Sequence, residues 1–307
     1  MDLVKSARPH HIATVAQSVI GVKDAINGDT HCSEGAEMKV ILSRKGFDSA
    51  NGGIVSPIFE DGAMISMPIP ASEDFYTYDD LCYCDSTYRD IIDDLKYKGS
   101  TYHCHVDPDL DPCRRKDAVP GWFPAFGQVN AAASYLHNND ISAGDLFLFF
   151  GNFHFVERKD GHYRFTRRSG DYYRDNDLQI IWGYLQIGEI ISDPEEIRRV
   201  FWHPHSADRF NQNKTNVIFR AAEHLSFDDS RSGAGLLSFD EKRVLTLEGA
   251  PKATWKMNPV YDTHHIFGNR KNLAKDPSKG IYYAGIWQEL CLMESEECTE
   301  WARSMIE

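Results

Sequence analysis

Residues 38–70, MKVILSRKGFDSANGGIVSPIFEDGAMISMPIP, are the stretch around which the rest of the chain is interpreted. The stretch opens with the apolar run Val40-Ile41-Leu42, whose short length and β-branched residues predict a buried strand. A polar loop with three glycines follows at residues 43–53. Glycines let a backbone approach a ligand closely, and a rigid sheet can hold polar groups around that ligand. The loop is therefore a candidate binding site, with a plain solvated hairpin loop as the common alternative.

Composition indicates a globular protein: of 307 residues, 42% are hydrophobic and 12% aromatic. No apolar run approaches the roughly 20 residues that a membrane span needs, and Arg8-Pro9-His10-His11 interrupts any signal-peptide pattern. Seven cysteines without zinc or disulfide spacing indicate a reduced, cytoplasmic compartment. The formal net charge of −13 argues against broad nonspecific attraction to DNA. A local basic face remains open, built from Arg114-Arg115-Lys116, residues 164–168 and Arg198-Arg199.

The pattern of apolar and turn residues predicts one α+β domain, residues 38–307, after an N-terminal arm or extension, residues 1–37, with residues 15–26 helical. We expect a mixed or antiparallel sheet with flanking helices. Helices are predicted at residues 78–97, 128–138, 195–200 and 287–306. Strands are predicted at residues 101–106, 145–150, 163–167 and 179–187, the last three as a β-meander. The pairing of 145–150 with 179–187 resembles PUA-like barrels, so part of the sheet is expected to be barrel-like.

Several stretches resemble the third nucleotide-modification-associated domain family. They are residues 43–70, His105-Val106-Asp107-Pro108-Asp109-Leu110, Phe126-Gly127-Gln128, residues 143–151 (AGDLFLFFG) and residues 181–185 (IWGYL). The resemblance runs from about Met38 to the C-terminus. It departs at residues 285–290 (GIWQEL), where the family shows an Arg-Gly-Gln-Glu-Phe run, so only Gln288 and Glu289 match. Members of that family are encoded near enzymes that build or process modified DNA bases, notably in phage and phage-defence settings. The resemblance thus implies double-stranded DNA with modified bases, such as phage DNA, as the partner.

Four carboxylates at predicted strand or helix ends are the catalytic candidates: Asp48, Asp107, Asp109 and Glu289. Cleavage of an N-glycosidic bond develops positive charge on the sugar and negative charge on the leaving base. A carboxylate can activate the attacking water and stabilise the oxocarbenium-like centre. A cation or imidazole can then meet the departing base. The alternative for Asp107 and Asp109 is that both cap a turn after Pro108, which disfavours helix at the residue before it.

The expected substrate-binding residues are polar groups of the same stretches or downstream of them. They are Ser43, Arg44, Lys45, Asn51, His105, Gln128, His203 and Gln288. Lys45, His105 and His203 are the expected donors to the leaving base, and the amides of Asn51 and Gln128 can read a base edge. Aromatic residues can stack on an extruded base, although core packing is the commoner role of each. The aromatic candidates are Tyr102, Trp122, Phe153 and Trp182.

A metal site is the alternative use of the histidines. The candidate ligands are His103, His105, Asp107, Asp109, His203 and His205, which offer imidazole and carboxylate donors. The chain has 13 histidines, a number at which chance clusters are common. We therefore expect no metal and no other cofactor. The zinc deaminase signature, an HxE followed by PCxxC, is absent from the sequence.

The sequence, with the family resemblance, predicts a DNA glycosylase-type hydrolase. We expect it to excise a hypermodified base, for example a glucosylated pyrimidine of phage DNA, and to leave an abasic site without using a metal. The sequence has no triphosphate, redox-cofactor or group-donor motif that would favour other chemistry. Three alternatives stay open: a non-catalytic reader of modified bases, a base-modifying transferase, and a metal-dependent enzyme.

Overall fold

The structure is a computed structural model that describes residues 38–262, 264–266, 280–283 and 287–307. The expected N-terminal arm, residues 1–37, and Gly285-Ile286 of the family-like C-terminal run lie outside the described residues. In the described part, six helices flank one large mixed sheet. This confirms the predicted α+β class. Among the helices that are described, none combines the length and the apolar character of a membrane span.

The elements are mostly short, apart from two long central strands. In chain order the strands are β1 (Val40–Arg44), β2 (Ser56–Ile58), β3 (Ile69–Pro70), β4 (Cys82–Tyr83), β5 (Ser86–Thr87), β6 (Cys104–His105), β7 (Ala125–Gln128), β8 (Leu146–Lys159), β9 (His162–Phe165), β10 (Leu178–Ile191), β11 (Val217–Ala221), β12 (His224–Leu225), β13 (Asp228–Ser232), β14 (Ala234–Leu236), β15 (Thr254–Trp255), β16 (Ile281–Tyr282) and β17 (Glu289–Leu292). The helices are α1 (Tyr88–Asp94), α2 (Asn130–Asn138), α3 (Tyr172–Asp175), α4 (Pro194–Arg199), α5 (Asp208–Asn211) and α6 (Glu296–Ile306). Short 3-10 turns lie at Tyr78–Asp80, Pro112–Arg114, Pro204–Ser206, Glu241–Arg243 and Pro259–Tyr261.

The main sheet contains nine strands, six of them in the order β17-β1-β8-β10-β11-β7. Strands β2 and β9 also pair with β8, and β14 pairs with β10. Both β1 and β2 run parallel to β8, whereas the other pairs in this sheet are antiparallel. Residues 146–156 of β8 are all buried, because neighbours and packed side chains cover both faces of the strand. A strand that is buried on both faces has a continuous apolar sequence. For this reason the apolar run in GDLFLFF correctly predicts a buried strand.

The sheet curves until its two ends approach each other. Nε2 of Gln128, at the end of β7, donates to Oε1 of Glu289 on β17 at 2.6 Å. The Lys45 ammonium, just after β1, lies 4.3 Å from the ring centroid of Phe126 on β7. The buried rings that pack together inside the curve are Phe126, Phe147, Phe149 and Phe219. No backbone pairing joins β7 to β17 among the strands described here, so the barrel-like prediction holds for the curvature and not for closure.

The helix predicted at residues 78–97 is wrong over most of its length, since only α1 is an α-helix. Thr87 and Asp90 begin this helix with a capping box, in which each side chain accepts the backbone N–H of the other residue. Upstream, Cys84 has a φ of +49° in the turn between β4 and β5. A continuous helix excludes that conformation.

The predicted C-terminal helix, residues 287–306, is wrong in its first part, which forms β17. Glu289 pairs with Ser43 of β1, in an antiparallel register that continues to Leu292 opposite Val40. Helix α6 begins only after Ser295, whose Oγ accepts the Cys298 N–H at 3.1 Å. Glu289 is thereby moved from a predicted helix end into the interior of the sheet.

The remaining differences concern boundaries and pairing. Helix α2 begins after Gln128, because this residue pairs with Val217 in the ladder between β7 and β11. The strand predicted at residues 101–106 is reduced to β6, and the helix predicted at 195–200 is α4 shifted by one residue. The predicted pairing of residues 145–150 with residues 179–187 is confirmed, since β10 pairs with β8, and only the order of a simple β-meander is wrong, because β10 does not add to β9.

Candidate functional site

A cleft of ≈ 540 Å³ lies where β1, β6 and β7 end. Its volume is within the range of about 300–1,000 Å³ that small-molecule sites occupy. Eight of the predicted site residues line it: Arg44, Lys45, Asp48, Asn51, His105, Asp107, Gln128 and Gln288. The other four predicted site residues, Ser43, Asp109, His203 and Glu289, are buried beside or behind it. Residues far apart in the sequence thus meet at one polar cleft.

Asp107 lies at the base of this cleft, with its side chain 5% exposed. Its Oδ1 accepts the backbone N–H of Gly127 at 2.7 Å. Nε2 of His105 and Nε2 of His205 each lie 3.8 Å from Oδ2, and Nε2 of His203 lies 3.3 Å from Oδ1. Burial opposes the charge on Asp107, but the contact with His203 holds the pKa of the carboxyl below its ordinary value. Asp107 is therefore an ionised carboxylate at neutral pH.

His105 is oriented by a buried carboxylate that the sequence did not reveal as part of the site. Its Nδ1 lies 2.7 Å from Oδ2 of Asp74, which in turn is hydrogen-bonded by Arg209. Burial opposes the charge on Asp74, but His105 and Arg209 keep the pKa of its carboxyl below the ordinary value. An ionised carboxylate only accepts hydrogen bonds. The proton of the neutral His105 ring is therefore on Nδ1, and the lone pair is on Nε2.

His205 is oriented by an amide in the same manner. Nδ2 of Asn216 donates to the His205 carbonyl oxygen at 3.0 Å, so Oδ1 of Asn216 is the atom that faces His205 Nδ1 at 2.8 Å. The ring stacks on Phe210, with centroids 4.5 Å apart and planes 11° apart. Burial lowers the pKa of His205 to about 3, so the ring is neutral at neutral pH. Its Nε2 lone pair faces Asp107.

His203 has the opposite orientation of its ring nitrogens. Its Nδ1 accepts the backbone N–H of His205 at 3.2 Å, so the proton of the neutral ring is on Nε2. This Nε2 is buried and lies near Asp107 Oδ1 without reaching hydrogen-bond geometry with any described residue. His203 therefore acts as an electrostatic partner of Asp107 from behind the cleft.

One ligand atom from each of His105, Asp107 and His205 lies within 4.8 Å of the others. These residues could hold a divalent metal, because imidazole nitrogens and a carboxylate oxygen are common ligands. The His203 and His205 rings can pack against residue 127 because it is a glycine. A Cβ at Gly127 would overlap the His205 ring and would approach Cε1 of His203 to 2.8 Å.

Glu289, a predicted catalytic residue, is placed behind the cleft and not in it. The side chain is fully buried, and its Oε1 accepts from Lys45 Nζ at 3.4 Å and from Gln128 Nε2 at 2.6 Å. Oε1 of Gln128 accepts the Val129 N–H at 3.1 Å, so both ends of this amide take part in fixing its position, and its reading of a base edge stays a prediction. Ser43, the cross-strand neighbour of Glu289, is also fully buried. These residues support the cleft wall.

Asp109 likewise lies outside the cleft, in a buried ion pair, so its predicted catalytic role is not supported by its position. Its Oδ2 accepts from Arg115 Nη2 at 2.5 Å and from Trp122 Nε1 at 2.7 Å, and its side chain is 4% exposed. Burial raises the pKa of the Asp109 carboxyl against the effect of Arg115. The proposed basic face is weakened as well, because Arg115 is buried in this pair and Arg114 pairs with Asp111.

The aromatic candidates lie away from the cleft. Phe153 and Trp182 are buried in the main core, and neither Tyr102 nor Trp122 lines the cleft. The aromatic ring that does line it is Phe210. Several contributors were not found by sequence reasoning: Asp74, Arg209, Phe210 and Asn216. No motif marks them. Gly127 could have been found, since it stands in the family-like run Phe126-Gly127-Gln128.

Asp48 lines the cleft, but it mainly organises its own loop. Its Oδ1 accepts from the N–H of Ala50 at 2.9 Å, from the N–H of Asn51 at 2.8 Å and from Nδ2 of Asn51 at 3.0 Å. Arg44 lies 3.9 Å from Oδ2. Oδ1 therefore has little capacity left to bind and deprotonate a water, so a catalytic role of Asp48 would fall to Oδ2, which faces the Arg44 guanidinium.

We expect Asp48→Ala to lower the free energy of unfolding by about 1–2 kcal/mol, because three loop donors lose their acceptor at a partly exposed position. Urea denaturation followed by fluorescence would measure this. The control is Asp117→Ala, which truncates an exposed aspartate and should change stability little. Equal stability of the two variants would show that Asp48 does not hold the loop.

The family model described as "Nucleotide modification associated domain 3" matches residues 39–292. This range contains every residue that lines the cleft. A comparison with curated proteins found no match, and a comparison with solved structures found none either.

Proposed function

Because this chain belongs to the nucleotide modification associated domain 3 family, we propose that it is a DNA glycosylase that excises a modified base and leaves an abasic site. The observation that supports this most is Asp107, an ionised carboxylate at the base of an open polar cleft. Its Oδ2 accepts no hydrogen bond from any residue that the structure describes, so it is available to a water in the cleft.

The proposed reaction is hydrolysis. Asp107 positions and polarises a water, whose oxygen attacks C1′ of the deoxyribose as the C1′–N bond breaks. The electron pair of that bond goes to the base nitrogen, which takes up a proton from the Lys45 ammonium or from solvent, and the proton of the attacking water passes to the Asp107 carboxylate. The anionic carboxylate also stabilises the positive charge that develops on the sugar. The products are an abasic sugar with a C1′ hydroxyl and the free base.

The walls of the cleft suit an extruded nucleotide. Arg44 and Lys45 line it on the β1 side, where a guanidinium and an ammonium can meet a phosphate or the departing base. The amides of Asn51 and Gln288 offer hydrogen bonds, and Phe210, whose ring stacks on His205 and lies 4.6 Å from the guanidinium carbon of Arg209, adds apolar surface. A nucleobase that is stacked in a duplex cannot reach the bottom of the cleft, so the substrate nucleotide has to be flipped out.

The test is an abasic-site assay on phage DNA with glucosylated or otherwise modified bases, using unmodified DNA of the same sequence as the control. We expect abasic sites to accumulate only in the modified DNA. A protein that binds the modified DNA but forms no abasic sites, with or without added divalent metals, would be a reader of modified bases and not a glycosylase.

A further inference from the structure

We infer that His105, Asp107 and His205 bind one divalent transition-metal ion at the base of the cleft. Their ligand atoms lie within 4.8 Å of one another. Two imidazoles and one carboxylate are a ligand set that first-row transition metals favour. Three protein ligands also leave coordination positions open toward the cleft, where a water or a substrate atom can bind.

The three donor atoms converge, and none of them accepts a hydrogen bond from the residues that the structure describes. Oδ2 of Asp107 lies 3.8 Å from Nε2 of His105 and 3.8 Å from Nε2 of His205. Hydrogen bonds span about 2.7–3.2 Å, so these separations are too long for one. Two ligands at about 2.1 Å from a tetrahedral ion lie about 3.3–3.4 Å apart, so each nitrogen needs to approach Oδ2 by only about half an ångström. The two ring nitrogens, which lie within 4.8 Å of each other, have to close to the same separation.

Each ligand is oriented by a second residue that fixes which atom faces the centre. Asp74 holds the Nδ1 proton of His105, and Asn216 holds the Nδ1 proton of His205. The N–H of Gly127 occupies Oδ1 of Asp107, which leaves Oδ2 for the centre. Partners of this kind, a carboxylate or carbonyl on the far nitrogen of a ligating histidine, accompany most protein metal sites.

The neighbouring histidines lack this arrangement, which argues against a chance cluster. His203 directs a protonated nitrogen toward Asp107, so it has no lone pair to offer there. His103 is exposed, and its Nδ1 contacts the backbone oxygen of Asp74 instead of the centre. Only the two histidines whose lone pairs face Asp107 Oδ2 are suited to ligate.

The ion would change how the attacking water is held, and this part of the inference rests on the proposed function. Asp107 would act on the water through the ion that it ligates. A divalent ion held by these residues would lower the pKa of a bound water, to about 7 in favourable sites, and would so supply a hydroxide as the nucleophile for C1′, with the proton released to solvent. The sequence-based expectation of a metal-free reaction would then be replaced.

The first test measures metal binding without DNA. The full chain is treated with EDTA, dialysed against Zn²⁺ or Co²⁺, and analysed for bound metal by elemental analysis, for affinity by calorimetry and for Co²⁺ coordination by its visible spectrum. We expect one tightly bound ion per chain and a Co²⁺ spectrum typical of nitrogen and oxygen ligands. No stoichiometric ion in the wild type, or a spectrum of hydrated Co²⁺ only, would overturn the site.

Variants then locate the ion. His105→Gln and His205→Gln should abolish stoichiometric binding, while His224→Gln, a change at an exposed histidine, should leave it unchanged. Asp74→Asn keeps all three ligands and should weaken binding about 10–100-fold, as loss of an orienting partner does. This variant decides the matter if the ligand variants fail to fold. Unchanged affinity in Asp74→Asn, or in both folded ligand variants, would place the ion elsewhere and overturn the inference.

Assays of base release with metal-free and metal-loaded protein distinguish failure of the metal site from failure of the proposed glycosylase function. Metal-free protein that still excises the base at the full rate would overturn the metal's role and retain the glycosylase. Metal-loaded protein that excises no base from any modified DNA would overturn the glycosylase and retain the metal site. Restoration of base release on adding Zn²⁺ or another divalent ion to inactive metal-free protein would support both.

Discussion

Asp107→Asn is expected to reduce base release by about 10²–10⁴-fold, the usual cost of removing a positioned general base. The substitution keeps the shape of the side chain. It also keeps an Oδ1 that can accept the Gly127 N–H, which lies 2.7 Å from Oδ1 in the wild type. It removes the negative charge between His105, His203 and His205, so both the polarisation of a water and the binding of a cation are lost. Turnover is measured as abasic sites formed per folded molecule.

The matched control for this change is Asp160→Asn. Asp160 is exposed at the turn between β8 and β9, with a φ of +54° that asparagine adopts readily. The Asp160→Asn substitution removes the same charge at a residue that does not line the cleft, so turnover should stay at the wild-type level. A folded Asp107→Asn protein with turnover within a few-fold of the control would show that Asp107 takes no part in the reaction.

Asp109→Ala is expected to lower the free energy of unfolding by about 3–5 kcal/mol, because it leaves the buried Arg115 guanidinium without its carboxylate. The Arg115 side chain is only 3% exposed, and Trp122 Nε1 loses its acceptor as well. Urea denaturation would measure the loss. Turnover per folded molecule should change little, since Asp109 lies outside the cleft.

The double variant Asp109→Leu with Arg115→Met tests the cause of that loss. Replacing both members of a buried ion pair with apolar residues is often neutral, so the double variant should recover much of the stability. A stable Asp109→Ala protein that has lost its turnover would instead restore Asp109 as a catalytic candidate.

Most residues of the cleft could be predicted from the sequence, because polar and charged residues there directly follow predicted strands. Arg44, Lys45 and Asp48 come directly after a recognisable buried strand, and His105 and Asp107 stand in a second such position. A strand end presents the following side chains at one edge of a sheet, so their convergence follows from local pattern and from the family resemblance. What local pattern could not show is which carboxylates would remain accessible.

The positions of Asp109 and Glu289 depend on the tertiary fold. Glu289 is buried because β17 pairs with β1 and the curved sheet brings Gln128 against it. Asp109 is buried because Arg115 and Trp122 fold over it. Asp74 and Asn216 became part of the site in the same way: each acts only by contacting one histidine, and such a contact leaves no periodicity or spacing in the sequence. The helix predicted over β17 failed for a related reason, since pairing with β1 overrides the local preference of residues 289–292.

The central claim is that the protein breaks the bond between a modified base and its sugar. Mass spectrometry of the small molecules released from modified phage DNA tests this most directly, with unmodified DNA and Asp107→Asn protein as controls. We predict that wild-type protein releases the intact modified base as a free molecule, in an amount equal to the abasic sites formed. This release should occur from modified DNA only. A free sugar or an altered base still attached to the DNA, with no free base, would contradict it.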